Sequence, residues 1–497
     1  MEKEVSEDLE FVNNYQKEII LLSQANALLD WDREVYMPKL GINSRAEQSA
    51  LLSEIIHKRM IEDRLFSVLR KLKSKGLKGK NRIMVNKLYK DVSNARKIPK
   101  EFVSAIAKAV TLGNAAWLEA RRRNDFFVFK DRLEKIVSLK QEYAKYIGLK
   151  GHLYNSLLDY YEEGMTVETL KPLFFRLKEE LVKLLKKIES MEKYKKQKRL
   201  LSGEFSKEKQ IEFVNDVIKR IGLAKEKSRI DFSEHPFTTK IGLGDVRITT
   251  AIRDKALFAF ESSIHEAGHA LYEIGLPEED AFNVLGEAPS LGIHESQSRF
   301  WENMIGKSKD FWKFYFPKFK KEFNLNLDFD SFFREINFVF PGKIRVESDE
   351  VHYCLHVILR FEIELGLISG EIAVKDLPRI WNSKMKEFFG VKVKNDVEGC
   401  LQDVHWSNGL IGYFPTYALG SIYAAQIFDA MQKDFDVNKK VEKGEFKKIK
   451  EWLKERIHKY GSMYFADEII KKTCGKGLDV KVYLNYLTKK YGEIYGF

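Results

Sequence analysis

His265-Glu266-Ala267-Gly268-His269 sets two imidazoles four residues apart with a carboxylate between them. On a helix, positions four apart share a face, so His265 and His269 can converge on a single ion. Glu266 then lies about 100° around the helix from His265, beside the pair, where a carboxylate can hold a water without binding the ion. This is the arrangement of metal-assisted hydrolysis. The plain alternative is two helix histidines that only hydrogen-bond. Gly268 bears on the choice, because an interior glycine costs a helix on the order of 1 kcal/mol relative to alanine, which predicts that something packs very close there.

A catalytic zinc commonly keeps three protein ligands and one position for water, so a third donor is required. Ser290 can cap a helix, and the residues that follow it offer two candidates, His294 and Glu295. Glu295 comes 26 residues after His269, room for one helix to end and a second to return. Neighbouring helix positions point about 100° apart, so His294 and Glu295 do not both bind one ion. Spacing leaves the choice open, while a carboxylate completes the two-histidine, one-glutamate set used by many zinc peptidases. Glu302, two turns further on, is either a partner of a ligand or a solvated charge.

Leu257, Phe258, Phe260, Ile264, Ala267, Leu271 and Ile274 recur at helical spacing, predicting a largely buried helix over 256–275. Before it, two β-branched runs flank Gly242-Leu243-Gly244-Asp245, which predicts a hairpin within 231–250. An edge strand there could bind an extended peptide through main-chain hydrogen bonds, or serve structure alone. Upstream, helical spacing runs over 6–29, 44–59, 100–123, 127–147 and 167–192. Trp31-Asp32-Arg33 and Tyr36-Met37-Pro38 read as a packed corner that breaks the first helix pair. No linker or internal repeat divides the chain, so it reads as one domain over 1–497, with a helical half to about 222 and a catalytic half from about 223.

An apolar fraction of 44% in 497 residues, with only 10 prolines, predicts a mainly helical globule with ample core. No segment has the apolar length of a membrane span, and the start is charged, so the expectation is a cytoplasmic protein with no membrane partner. Cys354, Cys400 and Cys474 are odd in number and widely spaced, which predicts reduced thiols. The net charge of +12, from 85 basic and 73 acidic residues, sits in lysine runs interleaved with apolar or acidic residues. Those are solvated helix faces, and no nucleic acid is expected as a partner. The 32% of charged residues, heavy in Lys and Glu, fits a thermophile surface.

Further motifs surround the histidine pair. In order they are His235-Pro236-Phe237, Asp245-Val246-Arg247-Ile248-Thr249, HEAGH, His294-Glu295-Ser296-Gln297, Ile344-Arg345-Val346-Glu347-Ser348-Asp349 and Gly399-Cys400-Leu401-Gln402-Asp403-Val404-His405-Trp406. With Leu29-Asp30-Trp31-Asp32 and Met37-Pro38-Lys39-Leu40-Gly41, this set resembles the carboxypeptidase Taq family of thermostable zinc metallocarboxypeptidases over nearly the whole chain. Ser348 departs from the pattern, which has alanine there. The resemblance implies a mainly α metallopeptidase fold with a deep active-site groove and a small β-sheet beside the HEXXH helix, assembled as a homodimer.

It also implies His265, His269 and Glu295 as ligands of one divalent ion, zinc or alternatively cobalt, with His294 a neighbour and not a ligand. Glu266 is then the general base, and later the acid, for attack by a metal-bound water. For the oxyanion the resemblance and side-chain chemistry point to Tyr417, with His405 or His235 as alternatives and Tyr413 close enough in sequence to compete. The implied substrates are peptides with a free C-terminal carboxylate, shortened one residue at a time. Arg345 is the expected carboxylate anchor, its rival role being an ion pair with Glu347 or Asp349 inside a helix. Arg247 and Arg253 are weaker options. Without an arginine closing the groove, the same site would serve an endopeptidase or oligopeptidase. A helical scaffold without turnover fits less well, since a structural site closes with four protein ligands and gives Glu266 no role.

Overall fold

The helical spacing upstream of residue 222 becomes the helices Glu2–Val35, Ile42–Met60, Lys100–Arg123, Phe127–Ile147 and Val167–Ser190. The computed structural model describes the chain apart from Met1, 202–204, 254–256 and the side chain of Glu2. The first helix departs from expectation by running through Trp31 to Val35 and turning only at Met37-Pro38. Proline has no N–H to extend the helix, whereas Trp31 is buried and continues it. Among the described residues, no helix is long and apolar enough to cross a membrane.

The expected hairpin forms, and it belongs to a three-stranded sheet: β1 (Ser228–Phe232), β2 (Thr238–Gly242) and β3 (Asp245–Thr250) in the order β1-β3-β2. β2 and β3 are antiparallel, and Gly242 pairs with Asp245 across a two-residue turn. Gly244 turns there with φ 77°, a conformation that favours glycine. β1, not foreseen, pairs with β3 in parallel.

Cross-strand partners point to the same side of a sheet, which sorts the side chains. Thr238 is opposite Ile248 and Lys240 is opposite Val246, so these four share the face against the helix Phe258–Gly275, here called the HEAGH helix. Ala256, the expected first residue of that helix, lies outside the described residues. Arg247, opposite both Thr239 and Arg229, points to the other face. There the guanidinium groups of Arg247 and Arg229 lie 4.2 and 5.1 Å from the Trp31 ring. Trp31 therefore clamps the first helix to the sheet.

One buried apolar cluster joins residues on both sides of 222, among them Leu157, Phe174, Ile264, Ile293, Leu359 and Leu419. A second, with Val12, Leu65, Leu69, Met84, Leu88 and Leu285, holds the first helix to Asp63–Ser74 and Gly79–Lys97. The helix Ile42–Met60 buries no residue.

Candidate metal centre

Glu295 lies on a short helix, Leu291–Arg299, that is gripped at three points. At its start the Ser290 hydroxyl accepts from Ile293 N, and the buried Glu162 carboxylate accepts from Gly292 N at 3.0 Å. These satisfy amides that a helix N-terminus leaves open. On one side a Cβ added at Gly268 of the HEAGH helix would lie 2.6 Å from the Gln297 carbonyl oxygen and 2.7 Å from the Ser298 Cα. On another side a Cβ at Gly420, on the helix Pro415–Asp434, would lie 2.4 Å from Glu295 Cγ. The close packing expected at Gly268 is thus backbone against backbone.

This packing aims three donors at one point. His265 Nε2 and His269 Nε2 lie 3.7 and 3.4 Å from Glu295 Oε2, and the three donor atoms fall within 4.8 Å of one another. Four-coordinate tetrahedral geometry with bonds of about 2.0–2.1 Å puts ligand atoms roughly 3.4 Å apart, so the donor set fits one divalent ion. The atoms turned away from that point are engaged as well. His265 Nδ1 is 2.8 Å from Glu302 Oε2, and Arg299 donates to Glu295 Oε1 at 2.8 Å and to Glu302 Oε2 at 3.2 Å. Glu302 reaches the ligand pair from a π-helical stretch, Phe300–Gly306, that continues the Glu295 helix. Burial opposes ionisation of Glu295, but Arg299 and the two histidines hold its carboxyl far below the usual range.

Glu266 lies against β2, where the Thr238 hydroxyl is 2.6 Å from its Oε2. His294 stands apart from the three donors: its Nδ1 faces His269 Nδ1 at 2.6 Å and its Nε2 faces Glu273 Oε1 at 2.8 Å. Both of its ring nitrogens are engaged.

Tyr417 is one turn before Gly420 and so on the helix face that meets Glu295. Its hydroxyl is 3.1 Å from His405 Nε2. Burial, with Arg345 adding, pushes His405 down to about 3, so the imidazole is neutral. The Tyr413 ring packs 5.3 Å from that of Tyr417, and burial with the Glu295 charge pushes the Tyr413 hydroxyl up to about 12.

Arg345 opens a short 3-10 turn, Arg345–Glu347, and is not inside a helix; the carboxylate that receives it is Asp403, at 2.9 and 3.0 Å. Asp349 instead caps the helix Glu350–Ser369. Arg360 donates to the other oxygen of Asp403 at 2.7 Å, and to Gln402 and the His356 carbonyl. Two guanidinium groups thus share one carboxylate. Arg345 also donates to the Tyr353 hydroxyl at 3.3 Å and lies 4.8 Å over the Tyr417 ring. The Tyr353 ring in turn packs 3.9 Å from the Arg299 guanidinium, which connects the Arg345 pair to Glu295. His235, exposed, lies in the bend before β2. Arg247 is bound to Asp245 at 2.8 and 2.9 Å on the far face of the sheet, and Arg253 packs 4.1 Å over the Phe258 ring.

Residues 11–491 match the model of the carboxypeptidase Taq (M32) metallopeptidase family. The chain belongs to that family. It is a metal-dependent carboxypeptidase, a hydrolase of peptide bonds. The thermostable carboxypeptidase 1 of Pyrococcus furiosus is 38% identical, with 96% of each chain covered. The carboxypeptidase 1 of Bacillus subtilis is also 38% identical, with 97% of this chain and 99% of that one covered. A solved structure of the Pyrococcus furiosus carboxypeptidase superposes with a TM-score of 0.94 at 36% identity, covering 98% of this chain and 99% of that one.

For a member of the M32 family, the partners the sequence reading missed are Thr238, Glu273, Arg299, Tyr353, Asp403 and Arg360. Asp403 lies inside a motif already singled out, but its pairing with Arg345 spans 58 positions and Arg345 carries no periodicity that points to it. Thr238 was detectable in principle, because strand alternation puts it on the same face as Ile248.

Proposed function

We propose that this metallocarboxypeptidase removes residues one at a time from the free C-terminus of peptides. His265, His269 and Glu295 would hold one divalent ion, zinc or alternatively cobalt, both of which suit this donor set. The observation that carries the exopeptidase reading is the charge of the Arg345 cluster. Arg345 and Arg360 against Asp403 leave one positive charge uncompensated in a buried place tied to Glu295 through Tyr353 and Arg299. Arg360 is fully enclosed, whereas Arg345 keeps a little exposure and its Nη1 meets only the neutral Tyr353 hydroxyl at 3.3 Å, so Arg345 is read as the member that receives a carboxylate.

A divalent ion bound there supplies Lewis acidity toward a water and the scissile carbonyl. Thr238 holds Oε2 of Glu266, which leaves Oε1 to take the proton of the attacking water and pass it to the leaving amine. Tyr417 donates its hydroxyl toward the developing oxyanion, with neutral His405 holding the phenol oxygen in position. Tyr413 and His235 are read as groups lining the substrate path. Arg247, stacked on Trp31, is read as an organiser of the sheet. β2 is the edge strand, and because Phe237 and Thr249 bond to each other, the main-chain groups of Thr238 and Lys240 face away from β3. An extended peptide can add there.

The chain is read as one domain, supported by the buried cluster that joins both sides of residue 222. It is read as a homodimer, supported by the helix Ile42–Met60, which buries nothing and exposes Leu51, beside Leu21 and Leu28 on the first helix. Light scattering on the purified protein tests the dimer. The functional reading is tested by incubating the metal-loaded protein with one peptide in two forms, free acid and C-terminal amide, and following products by mass. Stepwise loss from the free acid alone is expected, and equal cleavage of the amide would overturn the exopeptidase reading.

A further inference from the structure

His269 and His294 face each other through like atoms, Nδ1 to Nδ1, so one proton must lie between them. What stands behind His294 decides whose it is. Its Nε2 points at Glu273 Oε1, 2.8 Å away, and the Lys240 ammonium lies 3.3 Å from Glu273 Oε2. Lys240 is itself held near the Gly286 carbonyl at 3.4 Å and Glu287 at 3.8 Å. The Lys240, Glu273 and His294 side chains are less than one-fifth exposed.

An ionised carboxylate only accepts, so Glu273 beside Lys240 requires the His294 proton to sit on Nε2. With the His294 proton held at Nε2 by Glu273, Nδ1 is left to accept, and the shared proton belongs to His269 Nδ1. His269 is left with its lone pair on Nε2, the atom 3.4 Å from Glu295 Oε2. The opposite tautomer would aim an N–H where the ion must bind. His265 is served differently, by direct contact of its Nδ1 with Glu302.

We infer that Lys240, Glu273 and His294 form a positioning line, begun on β2, that fixes His269 in the tautomer able to accept a divalent ion. The line rests on the reading of His269 as a ligand. It gives β2 two duties from alternate residues of one face, since Thr238 holds Glu266 and Lys240 secures His269 from a distance. His294 is thereby a positioning residue whose ring has no nitrogen free for the ion.

The test is zinc affinity of the metal-free full-length protein, measured by competition with a chromophoric chelator, with thermal melts of the same samples. His294→Leu should weaken zinc binding roughly 10- to 100-fold. His294→Gln, whose amide can accept from His269 and donate to Glu273, should restore most of that loss. Lys240→Met should weaken zinc in the parent yet change it by less than about twofold in the His294→Leu background, because it acts through His294. Zinc affinity of His294→Leu within about twofold of the parent, or equal losses from Lys240→Met in both backgrounds, would overturn the line. If His294→Leu does not fold, His294→Gln and Lys240→Met decide: a large loss in the first, or none in the second, counts against it. His269→Ala separates the two ideas. If it keeps the parent's affinity, the ligand assignment itself fails.

Discussion

Replacing Arg345 by methionine tests the exopeptidase reading most directly. The Arg345, Arg360 and Asp403 cluster carries one net positive charge, and the substitution brings it to zero while leaving the Asp403 to Arg360 pair intact. Asp403 therefore keeps a buried partner, and the melting temperature should fall only modestly. The substrate loses more. A hydrogen bond to a charged group contributes about 1.5–3 kcal/mol, and a guanidinium can offer a carboxylate two. Two such bonds total about 3–6 kcal/mol, which corresponds to roughly a 150- to 20,000-fold drop in kcat/KM for peptides with a free C-terminus. The same peptide ending in an amide has no such carboxylate to lose, so its slow cleavage should hardly change. The decisive quantity is the ratio of the two kcat/KM values, measured by mass spectrometry on parent and variant. If Arg345→Met stays folded and the ratio stays at the parent value, the carboxylate is held elsewhere and the charge count has been misapplied.

Glu266→Gln should retain metal, measured by elemental analysis, while turnover falls by roughly 100- to 10,000-fold; near-normal hydrolysis would remove its role as base. Gly420→Ala pushes a methyl group to within 2.4 Å of Glu295 Cγ, so zinc affinity should drop even where a melt shows the chain folded; unchanged affinity would mean that the two helices part freely. Removing the ion with a chelator should abolish hydrolysis, and adding zinc or cobalt should restore it; activity that survives chelation would sink the metal reading. Burial, with the Lys454 ammonium adding, pushes His458 down to about 3 from an ordinary 6.5. The unfolded chain binds the extra proton, so this contribution is whole above pH 6.5 and is lost as pH falls toward 3, about 5 kcal/mol in all. His458→Phe should flatten the fall in stability between pH 6.5 and 4, and parallel curves from chemical denaturation would contradict this.

The histidine pair was legible because the helix pitch alone brings residues four apart together, and the hairpin because turn glycines and β-branched runs are local signals. Glu302 was within reach for the same reason, two helical turns from Glu295. The corner at Trp31 was misplaced because burial against Arg229 and Arg247 comes from a sheet some 200 positions away, which no local window contains. Arg345 was singled out, yet its surroundings were assigned to a helix and to acidic neighbours in sequence, when its carboxylate is Asp403.

The sequence by itself determined which residue types could meet: two imidazoles and a carboxylate on one helix, a second carboxylate beyond, and an arginine further on. Tertiary structure brought Glu295 Oε2 within 3.7 Å of the Nε2 atoms of both histidines and set His294 Nδ1 against the other ring nitrogen of His269. Adjacent positions on one helix point different ways, and only the close approach of two neighbouring helices at Gly268 and Gly420 turns Glu295 toward the histidines and His294 toward Glu273. It also decided the charge around Arg345, because Arg360 and Asp403 meet it through long-range packing that backbone periodicity cannot encode.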